Sequence, residues 1–264
     1  NNLPVKPDVI SWPGKSSIAE LITLGASAID GFVNGVNLPG IPSEFEPIIT
    51  RRAGVQDRGS QLVVENFLAT ATAGLSWLDM CAGPGGKAAY LFHSLTSSDP
   101  TATFLANEPI SHRAELVKRV VNNQQVVSFD ATDAKNFSQR FDRILVDAPC
   151  TGLGALRRRP EARWRRTIKD LKELVLLQRQ LLSSAYALLN PGGVIAYVTC
   201  SPHLAETKGQ VLDFLSTYPD MQLLPMQSLP LAHNRGVLPD GTVQLWTHLD
   251  QSDAMFMALL KKVG

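Results

Sequence analysis

The chain holds three cysteines, and each closes an apolar run: LSWLDMC ends at Cys81, DRILVDAPC at Cys150 and GVIAYVTC at Cys200. A thiolate is a good nucleophile and a tolerable leaving group, so such residues suit covalent group transfer. If the three runs are parallel strands of one open sheet, all three sulfurs emerge at its carboxyl edge, where these sheets bind ligands. The first run opens directly into Cys81-Ala82-Gly83-Pro84-Gly85-Gly86-Lys87. At a strand-to-helix junction, glycines let backbone approach a ligand and the helix N-terminus favours an anionic group. The turn is neither GxGxxG nor a P-loop. Free cysteine is also among the most buried residue types, so inert packing is the competing reading of each thiol.

Acidic residues fall at the same places. Asp79, Glu108, Asp130 and Asp147 lie at or just past the ends of four successive candidate strands. Glu108 follows the glycines by about twenty residues, the spacing at which a carboxylate accepts from ribose hydroxyls in dinucleotide-type folds. Singly, each could be a helix cap or turn former. Together at one edge they describe a cleft for a ligand with a ribose and a cationic group.

The elements that would position these residues alternate in type. Strands are expected to Asp79, over Thr103 to Asn107, Gln125 to Phe129, Arg143 to Val146 and Val194 to Thr199. Helices are expected from Gly86, near His112 to Asn123, over Ile168 to Leu189 and near Glu206 to Thr217. This alternation predicts an α/β fold with a doubly wound, mostly parallel sheet. Met221 to Leu224, Val243 to Trp246 and Ala254 to Lys261 lack long helices between them, which predicts a C-terminal antiparallel element. Residues 1–58 are rich in Pro, Gly and Asn, with one helical candidate at Ser17 to Ala28, and read as a small N-terminal subdomain or arm. Residues 59–264 read as the catalytic domain, entered through a helix at Ser60 to Thr72.

At 264 residues the chain is long enough for one large domain with an appendage. Lys+Arg 25 against Asp+Glu 24 gives a net charge of +1, so any polyanion site must be local. No segment is apolar enough to span a bilayer, and no partner membrane is expected. Three dispersed cysteines give neither a disulfide framework nor a metal pattern, so the expected setting is cytoplasmic, without metal. His93, His112, His203, His233 and His248 have no metal-ligand spacing either. The first residue is Asn1 rather than Met, which suits a fragment.

Taken together, these motifs resemble the S-adenosylmethionine-dependent RNA cytosine-5 methyltransferases, within them the Fmu (Sun, RsmB) group that acts on small-subunit, 16S ribosomal RNA. The resemblance rests on Asp79 to Lys87, Asp147-Ala148-Pro149-Cys150 with Thr151-Gly152-Leu153-Gly154, and Thr199-Cys200-Ser201-Pro202. Val55 to Ser60 and Arg157 to Trp164 also match. It implies a class I (Rossmann-like) methyltransferase fold and S-adenosyl-L-methionine as cofactor. Cys81, Ala82, Gly83, Pro84, Gly85, Gly86 and Lys87 would wrap the methionine end. Glu108 would take the ribose and Asp130 the adenine edge, with Asp147 between cofactor and target base. The group carries an additional NusB-like N-terminal domain for which this chain has no room. After Cys200 the usual acidic-Asn pair reads Ala205-Glu206-Thr207.

Cytosine C5 becomes nucleophilic only after something adds to C6, and a thiolate does so well. By the resemblance Cys200 attacks, Cys150 assists release and Asp147 stabilises the adduct. In DNA cytosine methyltransferases the Pro-Cys residue, here Cys150, attacks instead. Arg157, Arg158, Arg159, Arg163, Arg165 and Arg166 crowd around Pro160 and Trp164. Arg157, Arg158, Arg163 and Trp164 are the expected RNA contacts, through phosphates and base stacking, and Pro160 is expected to keep the segment a loop. A target cytosine must lie unstacked or in a loop. The alternatives are a transfer RNA or DNA cytosine-5 methyltransferase, or a non-catalytic RNA-binding protein on the same fold.

Overall fold

The structure is a computed structural model that describes residues 6–229 and 234–264; His233 lies outside the described residues. A small antiparallel sheet comes first, from β1 (Asp8–Ser11), β2 (Ser27–Ala28), β3 (Gly35–Asn37) and β4 (Ala53–Val55), in the order β2-β3-β1-β4. Short helices α1 (Ile18–Thr23) and α2 (Glu46–Ile49) connect its strands. The expected helix to Ala28 stops at Thr23, and Gly25 at φ +98° turns the chain into β2.

The large sheet is built from β5 (Ser76–Asp79), β6 (Thr103–Asn107), β7 (Val126–Val127), β8 (Phe141–Asp147), β9 (Leu189–Thr199), β10 (Met221–Leu223), β11 (Val243–Gln244) and β12 (Phe256–Lys262). Its order is β10-β12-β9-β8-β5-β6-β7, with β11 on β12. The pairs β5–β6, β5–β8, β6–β7 and β8–β9 are parallel, whereas β12 runs antiparallel to both β9 and β10. The sheet is therefore doubly wound with an antiparallel closing element. Strand order reverses beside β5, so the crevice between the carboxyl ends of β5 and β8 is the topological switch point.

Helices α3 (Arg58–Leu68) and α4 (Gly86–Ser98) cover one face, and α7 (Ile168–Leu188) and α8 (Lys208–Thr217) the other. The remaining helices are α5 (Ser111–Lys118), the one-turn α6 (Ala162–Arg165) and α9 (Thr247–Asp250). Strand pleating decides the sorting. In β5, Trp77 packs with Leu62, Phe67 and Tyr90, while the next residue, Leu78, packs with Leu181, Leu182 and Phe214. The small sheet divides the same way, since Val9 joins Leu21, Val36 and Phe45 whereas Ile10 enters the core that holds Trp77.

Two local differences from expectation bear on the site. β7 is two residues long, because Gln125 closes a 3-10 turn and Phe129 is already released to the surface. Pro160 does not keep its segment a loop: it precedes α6, tolerated because proline's missing N–H costs little ahead of a helix. Among the described residues no helix is long and apolar enough to cross a membrane.

Candidate active site

β8 and β9 pair in parallel, Asp147 opposite Val198, so the segments beyond them leave the sheet side by side. Cys150 Sγ and Cys200 Sγ thereby come to 3.3 Å. Their environments divide the pair. The bond to Cys200, with burial, pushes the Cys150 thiol up. Accepting that bond lowers Cys200 despite its burial, and the Lys87 ammonium helps. The sulfur–sulfur bond and Lys87 thus favour thiolate character at Cys200 over Cys150, and nucleophilicity at neutral pH follows thiolate character.

The glycine turn stands opposite. Gly83 N–H donates to Glu108 Oε2 at 3.1 Å, and a Cβ on Gly83 would lie 2.1 Å from that oxygen, so any larger residue would push the Glu108 carboxylate out of this position. Glu108 also accepts from Ile110 N–H at 3.0 Å and pairs with Arg113 at 3.4 Å. Lys87, from the first turn of α4, reaches across to Asp147 Oδ2 at 2.8 Å. Burial works against the Lys87 charge, but Asp147 outweighs it and the ammonium is held above its ordinary value. Asp79 is buried, and burial together with the Asp147 charge pushes it up to about 8. Its Oδ2 has no hydrogen-bond partner. Cys81 is driven up by burial and by the carboxylates of Asp79, Asp147 and Glu108, which makes it a poorer nucleophile than Cys200.

Asp130 differs from its acidic companions. It is exposed beyond β7, where Thr132 donates to it from Oγ1 at 2.7 Å and from N–H at 2.9 Å, and those bonds hold it below the usual carboxylate range.

Four residues to which the motifs assign no role, Asn107, Glu206, Gly154 and Asp57, position the site. Asn107 ends β6 and donates to Met80 O at 3.1 Å and Phe129 O at 3.2 Å, tying three strand ends together. Glu206 is fully buried and joins the two cysteine segments. Its carboxylate accepts from Thr151 N–H at 2.8 Å, Thr151 Oγ1 at 2.5 Å, Ser201 Oγ at 2.6 Å and Gln178 Nε2 at 3.2 Å. Gly154 closes the arrangement, donating to Cys200 O and accepting from Ala254 N–H, each at 2.9 Å. A Cβ there would sit 2.0 Å from Ala254 O. Asp57 caps α3 through Gly59 N–H and takes Arg157 in an ion pair at 2.5 Å.

The pattern of the 16S rRNA methyltransferase RsmB/F family matches residues 67–261. The chain belongs to this family. Protein MT1451 of Mycobacterium tuberculosis is 45% identical over 265 residues, covering 95% of this chain and 55% of that protein. Ribosomal RNA small subunit methyltransferase B of Vibrio cholerae is 37% identical over 210 residues, 79% of this chain and 46% of that protein. The chain thus spans about half the length of the curated relatives it matches. Among solved structures, NSun6 from Pyrococcus horikoshii with SFG is 25% identical at a TM-score of 0.71, over 86% of this chain and 57% of that one.

The residues present fit the RsmB/F family's methyl donor, S-adenosylmethionine. Asp79 offers an unpartnered buried carboxyl oxygen beside Asp147 and Glu108, a set suited to a ligand carrying ammonium and sulfonium charges. A Cβ added at Gly86 would meet nothing within 4 Å, so the turn faces open space at the helix N-terminus.

The arginine segment sorts into two groups. The Arg157 side chain is 8% exposed and paired with Asp57, with Asp253 at 3.6 Å. Arg158 forms an ion pair with Asp253, and Arg166 Nε donates to Thr151 O at 3.0 Å. Arg159, Arg163, Trp164 and Arg165 face solvent, with the Arg163 guanidinium 5.9 Å from the Trp164 ring. Arg157 and Arg158 thus anchor the loop through carboxylates, leaving the outward residues as its free cations.

Proposed function

We propose that this chain transfers a methyl group from S-adenosylmethionine to C5 of a cytosine in RNA, with small-subunit ribosomal RNA as substrate. The observation that carries the reading is the polarised thiol pair, Cys200 lowered and Cys150 raised across 3.3 Å, beside the Lys87–Asp147 ion pair. The SFG bound by the NSun6 relative is an analogue of the same cofactor. In this reading residues 59–264 are the catalytic unit and 1–58 a small subdomain.

Cys200 Sγ bonds to C6 of the cytosine, the Lys87 ammonium offsets the negative charge that the addition places on the ring, and Asp147 accepts from the N4 amino group to hold the base in place. C5 is then electron-rich. When bound, S-adenosylmethionine supplies the electrophilic methyl group from its sulfonium. Cys81 to Lys87 hold the methionine end of the cofactor, Glu108 the ribose and Asp130 the adenine edge. After a base takes the C5 proton, the C6–S bond breaks, and Cys150 donates its S–H to the departing Cys200 thiolate. That hydrogen bond is the one present in the resting site.

Cys150→Ala removes the donor that makes Cys200 a better leaving group, so addition continues while release stalls. The expected result is a covalent protein–RNA adduct visible as a retarded band on a denaturing gel. An adduct that forms only in Cys200→Ala reverses the roles of the two thiols. Bisulfite sequencing of RNA incubated with the protein tests the product itself, and absence of any new protected cytosine rejects C5 of cytosine as the target.

RNA contact is proposed for Arg159, Arg163, Trp164 and Arg165, the outward part of the arginine segment. Substituting the three arginines with Ala should weaken binding and flatten the dependence of log affinity on log salt by about 2, from about 0.7 per phosphate contact on single strands. An unchanged slope removes this segment from the RNA path.

A further inference from the structure

A second cleft, of about 670 Å³, lies away from the thiols, between the small sheet and helices α3 and α4. Its wall includes Trp77 at the start of β5 and its rim Asp99 just past the end of α4. The glycine turn sits at the opposite ends of both elements, and the 13 residues of α4 span about 20 Å. The volume falls in the range of small-molecule sites, about 300 to 1,000 Å³.

The cleft contains polar groups that the fold does not satisfy. Trp77 Nε1 and Ser94 Oγ have no hydrogen-bond partner, although their residues are only 1% and 9% exposed. The Glu65 carboxylate has the Val33 amide beside it, its Oε1 accepts from Tyr90 Oη at 3.1 Å, and its Oε2 has no hydrogen bond of normal length and angle. Buried polar atoms are rarely left in this state unless something else meets them. The lining also has a sign: it contains Glu65 and Asp99 and, among the described residues, no Lys, Arg or His. Leu68, Leu95 and the Trp77 ring supply apolar surface.

We propose that this cleft binds an organic cation, an alkylguanidinium or alkylammonium group on an apolar stem, with Glu65 as its counter-ion. The stem lies against Trp77 and the apolar wall, and the cation donates to Glu65 Oε2 and Ser94 Oγ. Burial holds Glu65 at about 7, against donation from Tyr90 on α4 and from the Val33 amide, so a bound cation meets a carboxylate poised to ionise. The same chemistry is carried by a free alkyl cation and by the side chain of an arginine or lysine in a protein segment.

The test titrates the protein with butylguanidinium, N-acetyl-arginine amide and neutral butylurea, following the Trp77 indole N–H resonance, which Trp77→Phe identifies. Butylguanidinium should produce a saturable shift with Kd on the order of 1 mM, and butylurea should bind at least about tenfold more weakly. Glu65→Gln, with an unchanged melting curve, should weaken the cation by a similar factor, and Ser94→Ala should weaken it less. Affinity should rise as pH increases from about 6 to about 8, as Glu65 ionises. Tighter binding of N-acetyl-arginine amide identifies a protein side chain as the source, and tighter binding of butylguanidinium a free cation. Equal binding of butylurea, indifference to Glu65→Gln, or no saturable shift overturns the proposal. Methyl transfer plays no part in the readout, so the result is independent of the thiol chemistry.

Discussion

Cys200→Ala is expected to lower methyl transfer by at least about 10⁴-fold while leaving S-adenosylmethionine binding within about twofold of the parent. The two effects separate because they rest on different elements. The proposed cofactor turn, Cys81 to Lys87 with Glu108 behind it, is held by the Gly83–Glu108 bond and by Asn107, none of which depends on Cys200. The proposed addition to C6, by contrast, has no other sulfur whose thiolate the surroundings favour. Cys81 is pushed up by burial and three carboxylates, and Cys150 is raised and is the proposed donor. Single-turnover transfer to RNA, paired with titration of the cofactor, reads both quantities. Activity within tenfold of the parent would remove the covalent step from Cys200, and joint loss of binding would mean that the substitution collapsed the cleft.

The strand ends that carry the thiols were legible in the sequence because parallel strands buried on both faces are near-continuous apolar runs. β8, FDRILVD, is such a run, and its end at Asp147 fixes where Cys150 emerges. Once β8 and β9 are neighbours, the meeting of Cys150 and Cys200 needs no further information. The small sheet was not legible. Its strands are two to four residues long and sit among prolines and glycines that signal turns, with no run long enough to display a period. The role of Arg157 was hidden for a different reason. A charge run looks the same whether its members face solvent or a carboxylate, and the partner of Arg157 is Asp57, 100 residues earlier. Only tertiary structure divides that segment into anchors and free cations. Tyr90 was similarly plain as a helix residue, yet its hydroxyl lies between Glu65 and Asn34, 25 and 56 positions away.

Glu206 is the sharpest instance of this blindness, and it carries the second large effect. Sequence places it ambiguously at the start of a helix, whereas it lies fully buried in the 3-10 turn before α8. Four donors converge on its carboxylate, two from Thr151 next to Cys150, one from Ser201 next to Cys200 and one from Gln178 on α7. Gln178 also holds Pro149 O at 2.9 Å, so the network fixes the backbone on both sides of Cys150. Glu206→Ala strands all four donors in a dry interior, which should cost about 3 to 5 kcal/mol. For a chain of this size that lowers the melting temperature by roughly 6 to 20 °C. Glu206→Gln keeps the shape and one acceptor oxygen, and the hydroxyls of Thr151 and Ser201 can rotate to accept from its amide. It should therefore lose about half as much stability. Because the thiol separation depends on both segments, the Gln variant should also slow methyl transfer without changing cofactor affinity. Denaturant melts of the three proteins decide the matter: a loss below about 1 kcal/mol for Glu206→Ala would mean that the cysteine segments are held by the Gly154 backbone bonds alone.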